Sequence, residues 1–174
     1  MSHGMVTLVG AGPGDPGLLT IRGREALEQA DVVVYDYLSN CELLQYAPPP
    51  AETIYVGKKA GRHTLEQPAI NDLLLEKAKA GNTVVRLKGG DCYVFGRGAE
   101  EALFLLENGV CVEVVPGIPA AVGASAYAGI PLTDRRHASG VTFLTGSEDP
   151  TRPNSRLDWA RIAADSNTDR KSVV

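Results

Sequence analysis

The sequence predicts an α/β fold: an open five-stranded, mainly parallel sheet with helices on both faces. Three observations carry that expectation. Strand-like and helix-like stretches alternate five times before residue 130. The strand-like stretches are short, continuous apolar runs, as expected of strands covered on both faces, and not alternating ones. Glycine-rich turns follow the first and fourth runs directly, where the chain passes from strand towards helix.

Element by element, MVTLVG (Met5 to Gly10) is the first strand and GAGPGDPG the turn after it. Leu18 to Ala30 reads as a helix, with Leu18, Ile21, Ala26 and Leu27 near one face and Thr20 near its start. DVVVYD (Asp31 to Asp36) is the second strand and ends on an acid. The stretch from Tyr37 to Pro50 closes with three prolines, which exclude a continuous helix or strand there. TIYVG (Thr53 to Gly57) is the third strand, and Gln67 to Ala80 a helix ended by Gly81. NTVVRLKGGD holds the fourth strand and the second glycine turn. GRGAEEALFLLENG is a helix ended by Gly109, VCVEVVPG the fifth strand, and PAAVGASAYAG a small-residue helix that must pack closely.

A parallel sheet of this kind binds ligands at the carboxyl ends of its strands. The loops that gather there are GAGPGDPG, YDYLSN, GKKAGRH, KGGDCYVFGRG and PGIPAA, and every unusual motif lies in one of them. GAGPGD departs from the dinucleotide fingerprint: Gly10, Gly12 and Gly14 alternate, Pro13 removes a backbone donor, and Asp15 puts negative charge where a pyrophosphate would sit. A tight structural turn or a different ligand both remain open. In KGGDCYVFGRG, Asp91 is able to accept from an amine or a ribose hydroxyl, and the peptides of Gly89 and Gly90 to approach a ligand closely. Phe95 reads first as a core residue and Cys92 as a free loop thiol. Asp36 and Lys58 end or follow strands, so parallel register places both at the ligand edge, either as surface charges or as proton acceptor and donor.

The composition sets outer bounds. The net charge of −4 argues against a nucleic-acid partner. Between Lys58 and Arg97, however, eight cations stand against four acids, a local surplus that suits an anionic small molecule. No apolar run approaches membrane-spanning length and no signal-type segment opens the chain, so a cytoplasmic protein without membrane attachment is expected. Three cysteines without C-x-x-C spacing, and His3, His63 and His137 without ligand spacing, indicate neither disulfides nor a metal.

The motifs VTLVGAGPGDPGLLTIRG, VVVYD, VGKKAG, VVRLKGGD with VFGRG, EVVPGI, AYAGIPLT and VTFLTG, in this order, resemble the tetrapyrrole methylases, and within them the enzymes that C-methylate uroporphyrinogen III. The resemblance covers about residues 5 to 159. It implies that Pro13, Gly89, Gly90, Asp91, Val94, Pro119 and Ala120 contact S-adenosyl-L-methionine, with Asp36 as proton acceptor and Lys58 as proton donor. The implied chemistry is transfer of two methyl groups to uroporphyrinogen III, by way of precorrin-1 to precorrin-2, for siroheme or cobalamin synthesis. Later corrin-pathway methylation, or a non-catalytic nucleotide-binding module, are the alternatives. The substrate's carboxylates suit guanidinium and ammonium clamps, for which Lys59, Arg62, Arg97, Arg135 and Arg136 are the candidates. The sequence departs from the family pattern at Cys92 and Tyr93 (usually Pro-Phe), at Pro119 (usually Thr) and at Ser147 (usually His).

The implied domain organisation is a first domain over 1–138, a linker and first strand of an incomplete second domain over 139–168, and a tail over 169–174. DRKSVV, the tail, matches the translation of a common sequencing-adapter sequence and is expected to be non-native. A chain cut in this way is expected to leave Val141 to Thr145 without neighbouring strands, to bind the cofactor weakly and to turn over little alone, the full-length protein being a homodimer.

Overall fold

The computed structural model describes residues 4–57, 66–138, 140–145, 157–164 and 168–172. They form two compact units, residues 1–119 and 120–174.

The first unit is built on β1 (Met5–Gly10), β2 (Val32–Tyr35), β3 (Glu52–Tyr55), β4 (Thr83–Lys88) and β5 (Cys111–Val115), all parallel, in the order β3-β2-β4-β1-β5. The helices are α1 (Ile21–Glu28), α2 (Gln67–Lys79) and α3 (Gly98–Glu107). Because successive side chains of a strand point to opposite faces, the apolar runs divide by parity. Val6, Leu8, Val32, Val34 and Val84 pack with Ile70, Leu74 and Ala78 of α2 and Ala102 and Leu105 of α3. Val9, Val33, Val85 and Leu87 pack on the other face with Leu27 of α1 and Leu43. The predicted sheet with helices on both faces is therefore the observed one. β1 and β4, at the centre, are the most completely covered strands.

Local chemistry explains the differences from the expected boundaries. The first helix starts at Ile21 and not at Leu18, because Asp15 caps a separate turn of 3-10 helix, Pro16–Leu18, accepting from Gly17 N at 2.7 Å. Thr20 then caps α1 by accepting from Gly23 N at 3.0 Å. The proline-closed stretch after β2 contains a second 3-10 helix, Cys41–Tyr46, capped by Asn40 and sealed into the core by Leu43. β3 begins at Glu52 and ends at Tyr55, so Val56 and Gly57 already belong to the loop.

The second unit contains α4 (Ala120–Tyr127), β6 (Val141–Thr145), α5 (Trp159–Ala164) and β7 (Thr168–Ser172). Val141 to Thr145 was expected to stand without neighbours, but β6 pairs in parallel with β7, from Val141 beside Thr168 to Thr145 beside Ser172. The pairing is made by main-chain groups, which any proline-free stretch supplies.

Candidate functional site

The carboxyl ends of β1, β2, β4 and β5 carry loops that are bonded to one another. After β1, Gly12 and Gly90 exchange main-chain hydrogen bonds, Gly12 N to Gly90 O at 3.1 Å and Gly90 N to Gly12 O at 2.8 Å. Ala11 N adds a bond of 2.7 Å to Lys88 O. The loop after β2 joins in through Asn40, whose Nδ2 donates to Gly14 O at 2.8 Å, and through Ser39, whose hydroxyl donates to Leu87 O at 3.0 Å. The β5 loop is tied by Asp91: its Oδ2 accepts from Gly117 N at 2.9 Å, while Oδ1 accepts from Tyr93 N at 2.8 Å and Val94 N at 3.2 Å.

Such closeness has a steric requirement. A Cβ on Gly117 would lie 2.2 Å from Gly90 O, one on Gly10 2.5 Å from Gly117 N, and one on Gly89 2.6 Å from the main chain of Leu38. The glycines of this edge are thus needed first so that the loops can approach each other. Gly12 and Gly90 also have positive φ values of 76° and 66°, where glycine carries no Cβ penalty.

Of the residues read as cofactor contacts, Pro13, Gly89, Gly90, Asp91 and Val94 come together in this bonded edge, and Pro119 follows two residues after Gly117. Ala120 opens α4 in the second unit. The carboxylate of Asp91, with three backbone donors, organises the loop. Its neighbours Tyr93, Val94 and Phe95 are exposed, so the reading of Phe95 as a core residue is corrected: it sits in the tight Asp91-bonded turn, with a positive φ of 55°.

Asp36 lies directly after β2, with Oδ1 accepting from Leu38 N at 3.0 Å and Oδ2 accepting from Arg86 Nη2 at 2.7 Å. Arg86 and Lys88 occupy alternate positions of β4 on the face covered by α2 and α3, and there they meet Glu101 of α3. Burial and the neighbouring Arg86 push the Lys88 ammonium below its usual range, against the pull of Glu101. This cluster was not legible as a site in the sequence. Its one signal is a pair of cations two residues apart in a strand otherwise buried on both faces, which requires an acid on the covering helix.

Four of the eight cations between Lys58 and Arg97 have carboxylate partners among the described residues. Lys77 pairs with Glu52 at 2.7 Å, Arg86 with Asp36 and Glu101, Lys88 with Glu101 at 2.9 Å, and Arg97 with Glu100 at 2.6 Å. The partners Asp36, Glu52, Glu100 and Glu101 all lie outside the sequence window in which the charges were counted. Arg136 pairs with Asp134 at 3.1 Å, and both Arg135 and Arg136 are exposed in the second unit. Lys58, Lys59, Arg62 and Ser147 lie outside the described residues.

Cys92 is buried beneath the same loop, its carbonyl accepting from Gly98 N at 3.0 Å, and burial pushes its thiol up to about 12. Because the folded thiol ionises later than the unfolded one, whose ordinary value is 9.0, native stability is unaffected by this group below that value and falls as pH rises from there towards about 12. At pH 8, iodoacetamide is therefore expected to label the exposed Cys41 and Cys111 in the native chain and Cys92 only after unfolding. Peptide mass mapping checks this, and early labelling of Cys92 would contradict it. No group of three or more His, Cys, Asp and Glu side chains is placed to hold a metal among the described residues, and no helix there is long and apolar enough to cross a membrane.

Comparison with known proteins places this edge in context. The chain is 54% identical over 162 residues to the S-adenosyl-L-methionine-dependent uroporphyrinogen III methyltransferase of Methanosarcina barkeri, a match covering 93% of this chain and 64% of that protein. It is 55% identical over 166 residues to siroheme synthase 2 of Pectobacterium atrosepticum, covering 95% of this chain and 36% of that protein. The chain thus spans less than two thirds of either relative. The uroporphyrin-III C-methyltransferase of Thermus thermophilus, solved with S-adenosyl homocysteine, superposes with a TM-score of 0.69 at 50% identity, over 82% of this chain and 59% of that one. The family profile described as tetrapyrrole (corrin/porphyrin) methylases matches residues 5–170. With the parallel sheet, the clasped glycine loops and Asp36 at the carboxyl edge all found within that span, the chain belongs to the tetrapyrrole methylase family.

Proposed function

We propose that this chain carries a methyl-transfer site that uses S-adenosyl-L-methionine to C-methylate uroporphyrinogen III twice, through precorrin-1 to precorrin-2, in siroheme or cobalamin synthesis. The observation that carries the proposal is the clasped carboxyl edge, with Asp36 bonded to Leu38 in the loop that closes on Gly89, in a chain 54% identical to a protein named for that reaction.

The edge suits the cofactor. Because Asp91 and the Gly12–Gly90 clasp consume the inward-facing groups, the exposed Tyr93 and Val94 and the neighbouring main chain are left to face a ligand with apolar and polar parts. Pro13, Gly89, Gly90, Asp91, Val94, Pro119 and Ala120 would hold it; at Pro119 the chain offers neither hydroxyl nor amide donor. When bound, S-adenosyl-L-methionine supplies a methyl group already electrophilic on its sulfonium. The protein's part is then mainly orientation, worth about 7–11 kcal/mol in well-aligned systems. The carbon that takes the methyl already bears a side chain and has no hydrogen to lose, so Asp36 accepts the proton that leaves a neighbouring position of the methylated, cationic ring system as its double bonds rearrange, and Lys58 serves as proton donor. Lys59, Arg62, Arg97, Arg135 and Arg136 clamp the substrate carboxylates, Arg97 and Arg136 exchanging their present carboxylate partners for those of the substrate. The protein works as a cytoplasmic homodimer without metal.

The test is anaerobic incubation of uroporphyrinogen III with methyl-labelled S-adenosyl-L-methionine and a stoichiometric amount of the chain, so that slow transfer registers. Product carrying two labelled methyl groups is expected. In a parallel incubation with a later corrin-pathway precursor in place of uroporphyrinogen III, label entering that precursor alone would move the assignment to another methylase of the family, and label entering neither acceptor would refute it.

A further inference from the structure

The support beneath Asp36 reaches through the protein interior. Arg86 donates to the Asp36 carboxylate from Nη2 at 2.7 Å and to the Leu87 carbonyl from Nη1 at 2.9 Å, while its Nε faces Glu101 Oε1 at 3.4 Å. Glu101 Oε1 also accepts from Gln67 Nε2 at 3.0 Å, and Gln67 in turn is held by Asn71. Lys88 Nζ stands 2.9 Å from Glu101 Oε2. Arg86, Lys88 and Glu101 are 3%, 5% and 0% exposed, whereas the Asp36 side chain is 24% exposed. Two cations and two carboxylates thus form a chain of ion pairs that is sealed at Glu101 and open at Asp36.

Stability alone does not ask for such a chain. Buried ion pairs are often replaceable by apolar residues of similar volume without loss, because desolvation offsets most of the Coulomb attraction. Their well-attested use is to fix geometry, and here the geometry ends on the one carboxylate that the reaction needs. We propose that Glu101 is a positioning residue of the reaction site: held between Arg86 and Lys88, it locks the Arg86 guanidinium, and the locked guanidinium fixes the carboxylate of Asp36 at the ligand edge. Glu101 touches neither substrate nor cofactor and acts through Arg86. The proposal rests on the reading of Asp36 as proton acceptor.

The experiment uses the whole chain with nitrogen-15 arginine and carbon-13 carboxyl aspartate labels. In the parent protein, the Arg86 guanidinium is expected to show resolved Nη–H resonances, the signature of blocked rotation about Cζ–Nη, together with a single sharp Asp36 carboxyl resonance. Since Glu101→Gln leaves two buried cations facing a neutral amide and threatens folding, the decisive variant is K88M/E101M, which removes one charge of each sign and refills the space with apolar side chains. In that variant, folded by circular dichroism, hydrogen exchange at Arg86 Nε is expected to rise at least about tenfold and the Asp36 carboxyl resonance to shift and broaden. A folded double variant with parental Arg86 and Asp36 resonances overturns the proposal. A freely rotating Arg86 guanidinium in the parent overturns it too, and that measurement needs no variant. Failure of the chain to bind S-adenosyl homocysteine would remove the functional reading yet leave these resonances unchanged, so the two failures are distinguishable.

Discussion

Glu101→Ala is expected to destabilise the first unit by about 3–5 kcal/mol, because it leaves the two nearly inaccessible cations Arg86 and Lys88 without the anion they share. Against a total stability of about 5–15 kcal/mol for an ordinary domain, that is a large fraction. It corresponds to a melting temperature lowered by roughly 10–20 °C. The cost comes from stranding charge, more than from losing a favourable contact, so K88M/E101M should recover most of it. Glu28→Ala is the control: its i,i+4 pair with Arg24 is exposed, and its loss should leave the melting temperature close to the parent value. Thermal unfolding followed by circular dichroism measures all three. A Glu101→Ala protein melting with the parent would mean that the buried pairs contribute far less than their geometry suggests.

Gly117→Ala should have the second largest effect, and a different kind. Its new methyl would sit 2.2 Å from the carbonyl oxygen of Gly90, which already accepts from Gly12 N, and 2.7 Å from the Cα of Gly10. These neighbours are main chain and cannot rotate aside. The loop after β5 must therefore move away, taking Gly117 N from Asp91 and opening the clasp between Gly12 and Gly90. Overpacking of this kind costs about 1–3 kcal/mol, and affinity for S-adenosyl homocysteine is expected to fall at least about tenfold. Gly81→Ala separates the two effects. At the end of α2, Gly81 has a φ of 91° and open space around its Cβ position, so the variant should lose stability through backbone strain while keeping the affinity. Titration below the onset of melting tells the variants apart, and an unchanged affinity in Gly117→Ala would show that the clasp does not shape the ligand edge.

The fold was largely legible because strands covered on both faces appear as unbroken apolar runs, and MVTLVG, DVVVY and TVVRL needed no tertiary information to be read. What misled was local capping. Asp15 and Pro16 build their own short turn, which resembles the first turn of α1 until Thr20 is recognised as the true cap.

The ligand edge was legible through its glycines, yet their physical reason differs from the one expected. Gly10, Gly89 and Gly117 leave room for neighbouring loops before any ligand arrives. Asp91, read as a free acceptor for a ligand, spends its carboxylate on Tyr93, Val94 and Gly117. The ionic chain behind Asp36 escaped for a simpler reason. In GAEEAL, Glu100 and Glu101 look alike, two acids in the first turn of a helix, and only the packing of α3 on β4 sends one to solvent with Arg97 and the other into the core with Arg86 and Lys88. Charge counted along a sequence window cannot see partners that arrive from other elements.

The most direct test of the account is calorimetric titration of the chain with S-adenosyl homocysteine and, separately, with NAD. Saturable one-to-one binding of S-adenosyl homocysteine, with no saturable binding of NAD, is the expected result. Binding of NAD with none of S-adenosyl homocysteine would contradict it and return GAGPGD to the nucleotide-binding turns from which its spacing separates it.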